Sequence, residues 1–258
     1  MAGYRGYEEI TLDDRFLYTE SGTSDGTQVK YHKDDYWYKI DNVGGEGQNE
    51  YLASLILRCS NLDPSEYVVY DQLMINGKPG CRSMDCTKAG ETLVSFYRLW
   101  SNVRGGDIAG FLQKMDYDDA FEQVFSFVAR ETGLDIHRYL ANLIAFSTFI
   151  RNEDLHYNNM WVIFDGESFR MAPILDNGKS MLVTNKNYDE NASISDNLKN
   201  VFAKSFSPSF DLNYRYIKKW CDIRIYKDRL VSALDNEPDS VQREFIKYQI
   251  VKYPELFV

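Results

Sequence analysis

The sequence predicts an α+β protein in two lobes, strand-rich over residues 1–103 and helical over 104–258. Three observations carry that expectation. In the first part, short runs of β-branched and aromatic residues alternate with Asp, Gly and Pro turn signals. After about residue 105 the apolar residues recur at helical spacing instead. A hairpin signal, Asp165-Gly166, stands inside the helical part. Strands followed by helices segregate as in α+β folds, and a ligand is expected in the cleft between the lobes.

Gln28 to His32, Tyr36 to Ile40, Tyr67 to Ile75 and Cys81 to Asp85 read as strands, parted by turns such as Lys33-Asp34-Asp35 and Asn76-Gly77. One helix interrupts them. Asn49 to Arg58 sets Leu52, Leu55 and Ile56 on one face, with Cys59 extending the stripe. Gly44-Gly45-Glu46-Gly47 before it reads as a flexible link, because the acidic Glu46 argues against a phosphate cradle. Further on, Asp118 to Arg130 carries Phe121, Val124, Phe125 and Val128 on one stripe and stops at Gly133, and Asp135 then caps a helix to about Ile150. Trp161 to Phe164 and Ser168 to Met171 flank the hairpin turn, Asn185 to Asp196 reads as a flexible polar loop, and helices near Tyr226 to Leu234 and Ser240 to Tyr253 close the chain before Pro254.

Composition narrows the function. A chain of 258 residues, 44% of them hydrophobic, buries a substantial core, which excludes disorder. Lys and Arg total 29 against 39 Asp and Glu, and the resulting charge of -10 repels a nucleic-acid backbone or an anionic bilayer. Neither is an expected partner. No run of eighteen apolar residues exists, and MAGYRGYEEITLDDR lacks the apolar stretch of a signal peptide, so a cytoplasmic protein is expected. Cys59, Cys81, Cys86 and Cys221 show no C-x-x-C spacing and His32, His137 and His156 are scattered, which argues against zinc and for reduced thiols.

The chemistry concentrates between Ile150 and Asn177, IRNEDLHYNNMWVIFDGESFRMAPILDN. Asp154 and Asp176 can meet across the hairpin base, and Asn159, five positions after Asp154, can turn its amide oxygen to the same point. Two carboxylates and an amide oxygen suit Mg²⁺, which takes its remaining ligands from water and phosphates. Phosphoryl transfer also needs a cation on the phosphates and a covering loop. Lys39 lies on an aromatic strand, on the face of Trp37, and Glu50 opens the next helix, where it favours the N-terminal dipole and can pair with Lys39. Upstream, Thr19 to Thr27 is a small polar loop whose backbone N–H groups can face phosphate, with Ser21, Gly22, Thr23 and Ser24 at its centre.

In this order of loop, Lys39 strand, Glu50 helix, Asp154–Asn159 loop and post-hairpin Asp176, the sequence resembles the protein-kinase fold. Asn152-Glu153-Asp154-Leu155-His156-Tyr157-Asn158-Asn159 resembles the N-x-D-x-H-x-x-N motif of HipA-like serine/threonine kinases, and Pro173-Ile174-Leu175-Asp176 their P-x-x-D segment. The resemblance runs from about Thr19 to Ser180, and the early Lys39 places it with the short, stand-alone kinase cores. It implies ATP and Mg²⁺ as cofactors. Lys39 then binds the α and β phosphates, Glu50 orients it, Asp154 accepts the proton of a Ser or Thr hydroxyl, and Asn159 and Asp176 hold the metal. His156 is expected to fix the loop by hydrogen bonds, Met84 and Asp85, with Cys86, are hinge candidates for adenine, and Phe96 to Trp100 is the other candidate crossing. The resemblance also implies a protein substrate, an antitoxin-like partner in a bacterial cytosol, and self-inhibiting phosphorylation at Thr19, Ser21, Thr23 or Ser24.

The chain departs from common protein kinases in three places: the loop is not G-x-G-x-x-G, Asn177-Gly178 follows Asp176, and no A-P-E follows. Each residue also has an ordinary explanation. Lys39 can solubilise an edge strand, Glu50 can serve the helix dipole, and Asp154, Asn158 and Asp176 can cap turns. Their joint order favours the kinase. The alternatives are a small-molecule phosphotransferase of the aminoglycoside kind and a nucleotide-binding pseudokinase that binds a partner.

Overall fold

The computed structural model describes residues 7–18 and 28–258. In chain order the elements begin with β1 (Glu9–Ile10), β2 (Lys30–Lys33), β3 (Tyr36–Ile40), α1 (Glu46–Arg58), β4 (Tyr70–Ile75), β5 (Lys78–Met84), β6 (Thr92–Ser95) and α2 (Phe96–Arg104). There follow α3 (Ile108–Leu112), α4 (Tyr117–Thr132), α5 (His137–Ile150), β7 (Trp161–Phe164), β8 (Phe169–Met171), α6 (Ile194–Asn197), α7 (Phe210–Ile217), α8 (Lys227–Asp235) and α9 (Val241–Lys252). Among the described residues, no helix is long and apolar enough to cross a membrane.

Two compact units result. One comprises the described residues up to Asp85 with Leu175–Asn200 and Arg224–Val258, the other Cys86–Ile174 and Val201–Ile223. The chain changes unit at Asp85, and two later segments return to the first unit.

The first unit is built on a sheet of order β1-β4-β5-β3-β2, antiparallel except where β1 joins β4. Its tight turns follow from residue type. Asp34 and Asp35 take φ of 51° and 63°, and Asn76 and Gly77 take 50° and 74°, the left-handed pair that a two-residue hairpin needs. Alternation then gives each face its side chains. Tyr31, Tyr38, Ile40, Leu73 and Ile75 form one apolar face, covered by Leu12, Ile10 and Phe16. Lys39, Trp37, Cys81, Ser83, Tyr70 and Gln72 share the other, as the pairings Lys39 with Cys81 and Gln72 with Cys81 require. Helix α1 packs against β4 and β5 with Leu52, Ala53, Ile56 and Leu57 almost wholly buried. Each such large side chain contributes roughly 1.5–3 kcal/mol of transfer free energy.

The helix begins one turn earlier than expected, at Glu46, because two carboxylates cap it. Glu46 accepts from the backbone of Asn42, Val43 and Gly44, and Asp41 accepts from Gly45 and Gly47. The supposed flexible link is therefore a closed cradle filled by its own acids. Asn185 to Asp196 likewise is a folded segment. Buried Asn197 accepts from the Asp189 amide and donates to the carbonyls of Asp189, Ala192 and Ser193.

The second unit is organised by α5, buried on every side from Leu140 to Ile150, as a central helix with no polar face must be. Phe121, Phe125, Phe127, Phe146 and Phe149 are fully buried in this unit. Helix α4 ends at Gly133, φ 74°, as its glycine predicts. The hairpin β7–β8 forms at Asp165-Gly166, and β6 adds to it in the order β6-β7-β8. Phe96 to Trp100 belongs to helix α2, capped by Ser95 on the Arg98 amide.

Candidate active site

In the first unit, Lys39, Glu50 and Asp176 come together. The Lys39 ammonium lies 2.8 Å from Glu50 Oε1 and 2.7 Å from Asp176 Oδ1. Strand alternation sends Lys39 to the face covered by α1, and Glu50 reaches it from one turn inside that helix. Its position corrects the expectation that Glu50 opens the helix; Glu46 is the first-turn acid. The second oxygen of Glu50 accepts from the Asn177 amide at 2.8 Å. Glu50 thus ties the strand lysine to the backbone beyond Asp176.

Asn49, adjacent in sequence, donates to the carbonyls of Gly178 and Ser180 at 2.7 and 2.8 Å, and accepts from Gln242 at 3.3 Å. Sequence reasoning passed over Asn49, because its partners Gly178, Ser180 and Gln242 lie far along the chain. Tyr70 completes the enclosure. Its hydroxyl accepts from the Asp176 amide at 3.3 Å, and its ring centroid is 5.4 Å from the Lys39 ammonium.

Lys39 and Glu50 are nearly buried, at 8% and 2% exposure, while a third of the Asp176 side chain remains exposed. Burial by itself lowers a lysine pKa, but Asp176 and Glu50 outweigh it and hold Lys39 well above its ordinary value. Lys39 in turn holds the Asp176 carboxyl well below the usual range. Glu50 moves the other way, raised by burial against the opposing pull of Lys39 and the Asn177 amide. Burial also pushes Tyr70 and Cys81 well up. The cluster is therefore a fixed ammonium beside an anionic Asp176 in a poorly solvated setting, where charges act strongly.

In the second unit, the loop after α5 is knotted on itself. Arg151 takes φ of 54° at the helix end, and buried Asn152 accepts from the Asp154 amide at 2.9 Å. The Asp154 carbonyl accepts from the Asn159 side chain at 2.8 Å and from the His156 amide at 2.9 Å. His156 Nδ1 accepts from the Asn158 amide at 3.2 Å, which places the proton of a neutral ring on Nε2, 3.8 Å from Asp154 Oδ1. Lys204 reaches the same oxygen at 2.7 Å. No sequence signal marked Lys204, because its relation to Asp154 is tertiary, fifty positions away.

Two other expected residues stand apart from the lysine cluster. Met84 is 61% exposed and shares a sheet face with Arg82 and Tyr36, opposite to that of Lys39, so its side chain does not face the lysine. Asp85 pairs with His32 at 3.1 Å, and its amide donates to Asp35 at 2.8 Å. Ser21, Gly22, Thr23 and Ser24 lie outside the described residues.

Among the described residues, no three His, Cys, Asp or Glu side chains converge to hold a metal. The donors expected for Mg²⁺ are nevertheless of the right kind. Asp176 is an anionic carboxylate, and Asn159 commits its amide nitrogen to a carbonyl, which fixes its oxygen as the acceptor end. Hard oxygen ligands of this sort suit an ion that keeps waters and takes phosphate oxygens.

No protein-family model matches the chain, and no curated protein does. Solved structures do. The proinflammatory kinase CtkA of Helicobacter pylori is 16% identical over 95% of each chain, with a TM-score of 0.62. HipA of Shewanella oneidensis, solved with HipB and operator DNA, is 11% identical over 93% of this chain and 64% of its own, with a TM-score of 0.46. A choline/ethanolamine kinase family protein from Mesorhizobium loti is 15% identical over 99% and 89%, with a TM-score of 0.29. The fold is α+β and kinase-like, matching that of CtkA.

Proposed function

We propose that this chain is an ATP- and Mg²⁺-dependent kinase that phosphorylates Ser or Thr hydroxyls of a protein in the cytoplasm. One observation carries the reading. A buried lysine on a strand is held between a helix glutamate and a distant aspartate, at 2.8 and 2.7 Å, inside a kinase-like fold. The buried Lys39–Glu50 pair, with the partly exposed Asp176 on the same ammonium, costs desolvation that apolar residues of equal volume would avoid, so its presence favours function over stability as its cause.

Each residue then has a task. Lys39, kept cationic, binds the α and β phosphates, and Glu50 keeps it from swinging. Asp176 and Asn159 would supply the protein ligands of Mg²⁺. The ion, when bound, neutralises charge on the transferring phosphoryl group. Asp154 aligns the acceptor hydroxyl and takes its proton, while Asn152, His156 and Asn159 hold its backbone in place. Nearly all of the catalysis so described is positioning and electrostatics. An antitoxin-like protein partner belongs to the same proposal and rests on the motif resemblance.

Labelled ATP tests it directly. The wild type should transfer phosphate to protein in Mg²⁺ and lose transfer on chelation. Asp154→Asn should abolish transfer while leaving nucleotide affinity within about twofold, and Asp176→Asn should weaken Mg-ATP binding itself. Equal activity of all three proteins defeats the assignment. Transfer to choline or an aminoglycoside but not to protein assigns the chain to the small-molecule class, and nucleotide binding without transfer makes it a pseudokinase.

A further inference from the structure

Taking Asp154 as the base, we propose that Lys204 selects the acceptor: it favours Ser or Thr hydroxyls beside an acidic residue and rejects hydroxyls on cationic molecules. The lysine is delivered by a fixed shelf. Phe202 and Lys204 are exposed in the segment 201–206, whereas Val201 and Ser205 are buried. The Ala203 amide donates to the Pro208 carbonyl at 2.9 Å, and the Phe206 amide to the Tyr157 hydroxyl at 3.3 Å. Asn213, 2% exposed, accepts from the Ser207 amide and donates to the carbonyls of Ser205 and Ser207. Since Tyr157 lies between Asp154 and Asn159, the shelf is tied to the very loop that carries the base.

Lys204 has no structural task that needs this placement. Its side chain is 53% exposed, and exposed ion pairs of this kind contribute little to stability. Its charge nevertheless stands 2.7 Å from Asp154 Oδ1, on the oxygen that His156 Nε2 also approaches. A hydroxyl within hydrogen-bonding reach of that carboxylate comes to within about 6–8 Å of the ammonium. A cationic acceptor must set its own charge against Lys204. An acid-flanked hydroxyl instead gives the ammonium a second carboxylate as it takes over Asp154, and exposed Phe202 offers apolar surface to the peptide beside it.

The experiment uses the full chain with Mg-ATP and two peptides that differ only in Asp or Lys after the target Ser. Wild type should favour the Asp peptide in kcat/KM by about tenfold, equivalent to ~1.4 kcal/mol. Lys204→Ala should bring the ratio near one and Lys204→Glu should invert it, with KM for ATP unchanged within about twofold. The same ratio in all three proteins overturns the proposal. So does an equal fall on both peptides, which would assign Lys204 to the phosphoryl group or to the posture of Asp154. Faster transfer to choline or an aminoglycoside than to either peptide also overturns it. Absence of transfer to every acceptor, this chain included, defeats the kinase reading as well, and is recognised because Asp154→Asn then equals wild type.

Discussion

Lys39 Nζ and Asp176 Oδ1, 137 positions apart in the chain, meet at 2.7 Å, and the same ammonium lies 2.8 Å from Glu50. Removing the ammonium leaves Glu50, 2% exposed, as an uncompensated buried charge. Lys39→Met should therefore cost about 3–5 kcal/mol, and the double variant Lys39→Met with Glu50→Leu should recover much of it. Urea denaturation measures both. A single variant within about 1 kcal/mol of wild type would show that the triplet is not coupled as described.

The depressed Asp176 carboxyl sets a pH dependence. An unfolded Asp takes its proton near 3.9, whereas folded Asp176 does so only at lower pH. Between those values the unfolded chain binds more protons, so stability rises with pH. The contribution is fully present above about pH 5 and is lost as pH falls through the folded value. Glu50, raised by burial, acts in the opposite sense and makes the wild-type limb shallower. The difference in Tm between wild type and Asp176→Asn should shrink from pH 6 to pH 3. A difference independent of pH contradicts the assignment.

Gly80 lies where the first turn of α1 comes against the sheet. A Cβ there would strike the Lys39 carbonyl and Ile75 Cδ1, and a Cβ on Gly47 would lie 2.7 Å from the Gly80 carbonyl. Ile75 can shift its side chain, but the Lys39 carbonyl is backbone and cannot yield without moving β3. Gly80→Ala should cost about 3–5 kcal/mol and displace Lys39 along β3. Thermal unfolding and nucleotide affinity should fall together. Normal stability with normal affinity would mean that the strands separate more easily than this packing indicates.

Much of the candidate site's local geometry was legible because it is written in local spacing. Lys39 on an alternating strand, the Asp154–Asn159 loop and Asp176 after a hairpin could each be read from neighbouring residues, as could the turns at Asp34-Asp35, Asn76-Gly77 and Asp165-Gly166. What escaped depends on partners far along the chain. Strand β6 exists because β7 pairs with it, Thr92 opposite Phe164. The earlier start of α1 needs the carboxylates of Asp41 and Glu46 to turn back on backbone amides, which a glycine-rich run conceals. Asn49 acquires its role only when Gly178 and Ser180 arrive beside it.

Asn213 lets the shelf beneath Lys204 be tested without touching the lysine. Its side chain accepts from the Tyr117 hydroxyl at 2.8 Å and the Ser207 amide at 3.0 Å, and donates to the carbonyls of Ser205 and Ser207 at 3.0 and 2.9 Å. Deleting it strands these partly buried groups, a loss of about 1–3 kcal/mol. The consequence for activity differs from that for stability. Phe206 would lose the support that keeps its amide on Tyr157, so the segment carrying Lys204 would sample more positions while Asp154 stays fixed by Asn152 and Asn159. Asn213→Ala should raise KM for a peptide acceptor by about three- to tenfold with little change in KM for ATP. Steady-state kinetics below the melting transition separate the two. If both KM values move together, the loop does not act on the acceptor side, and Asn213 serves only to fold its unit.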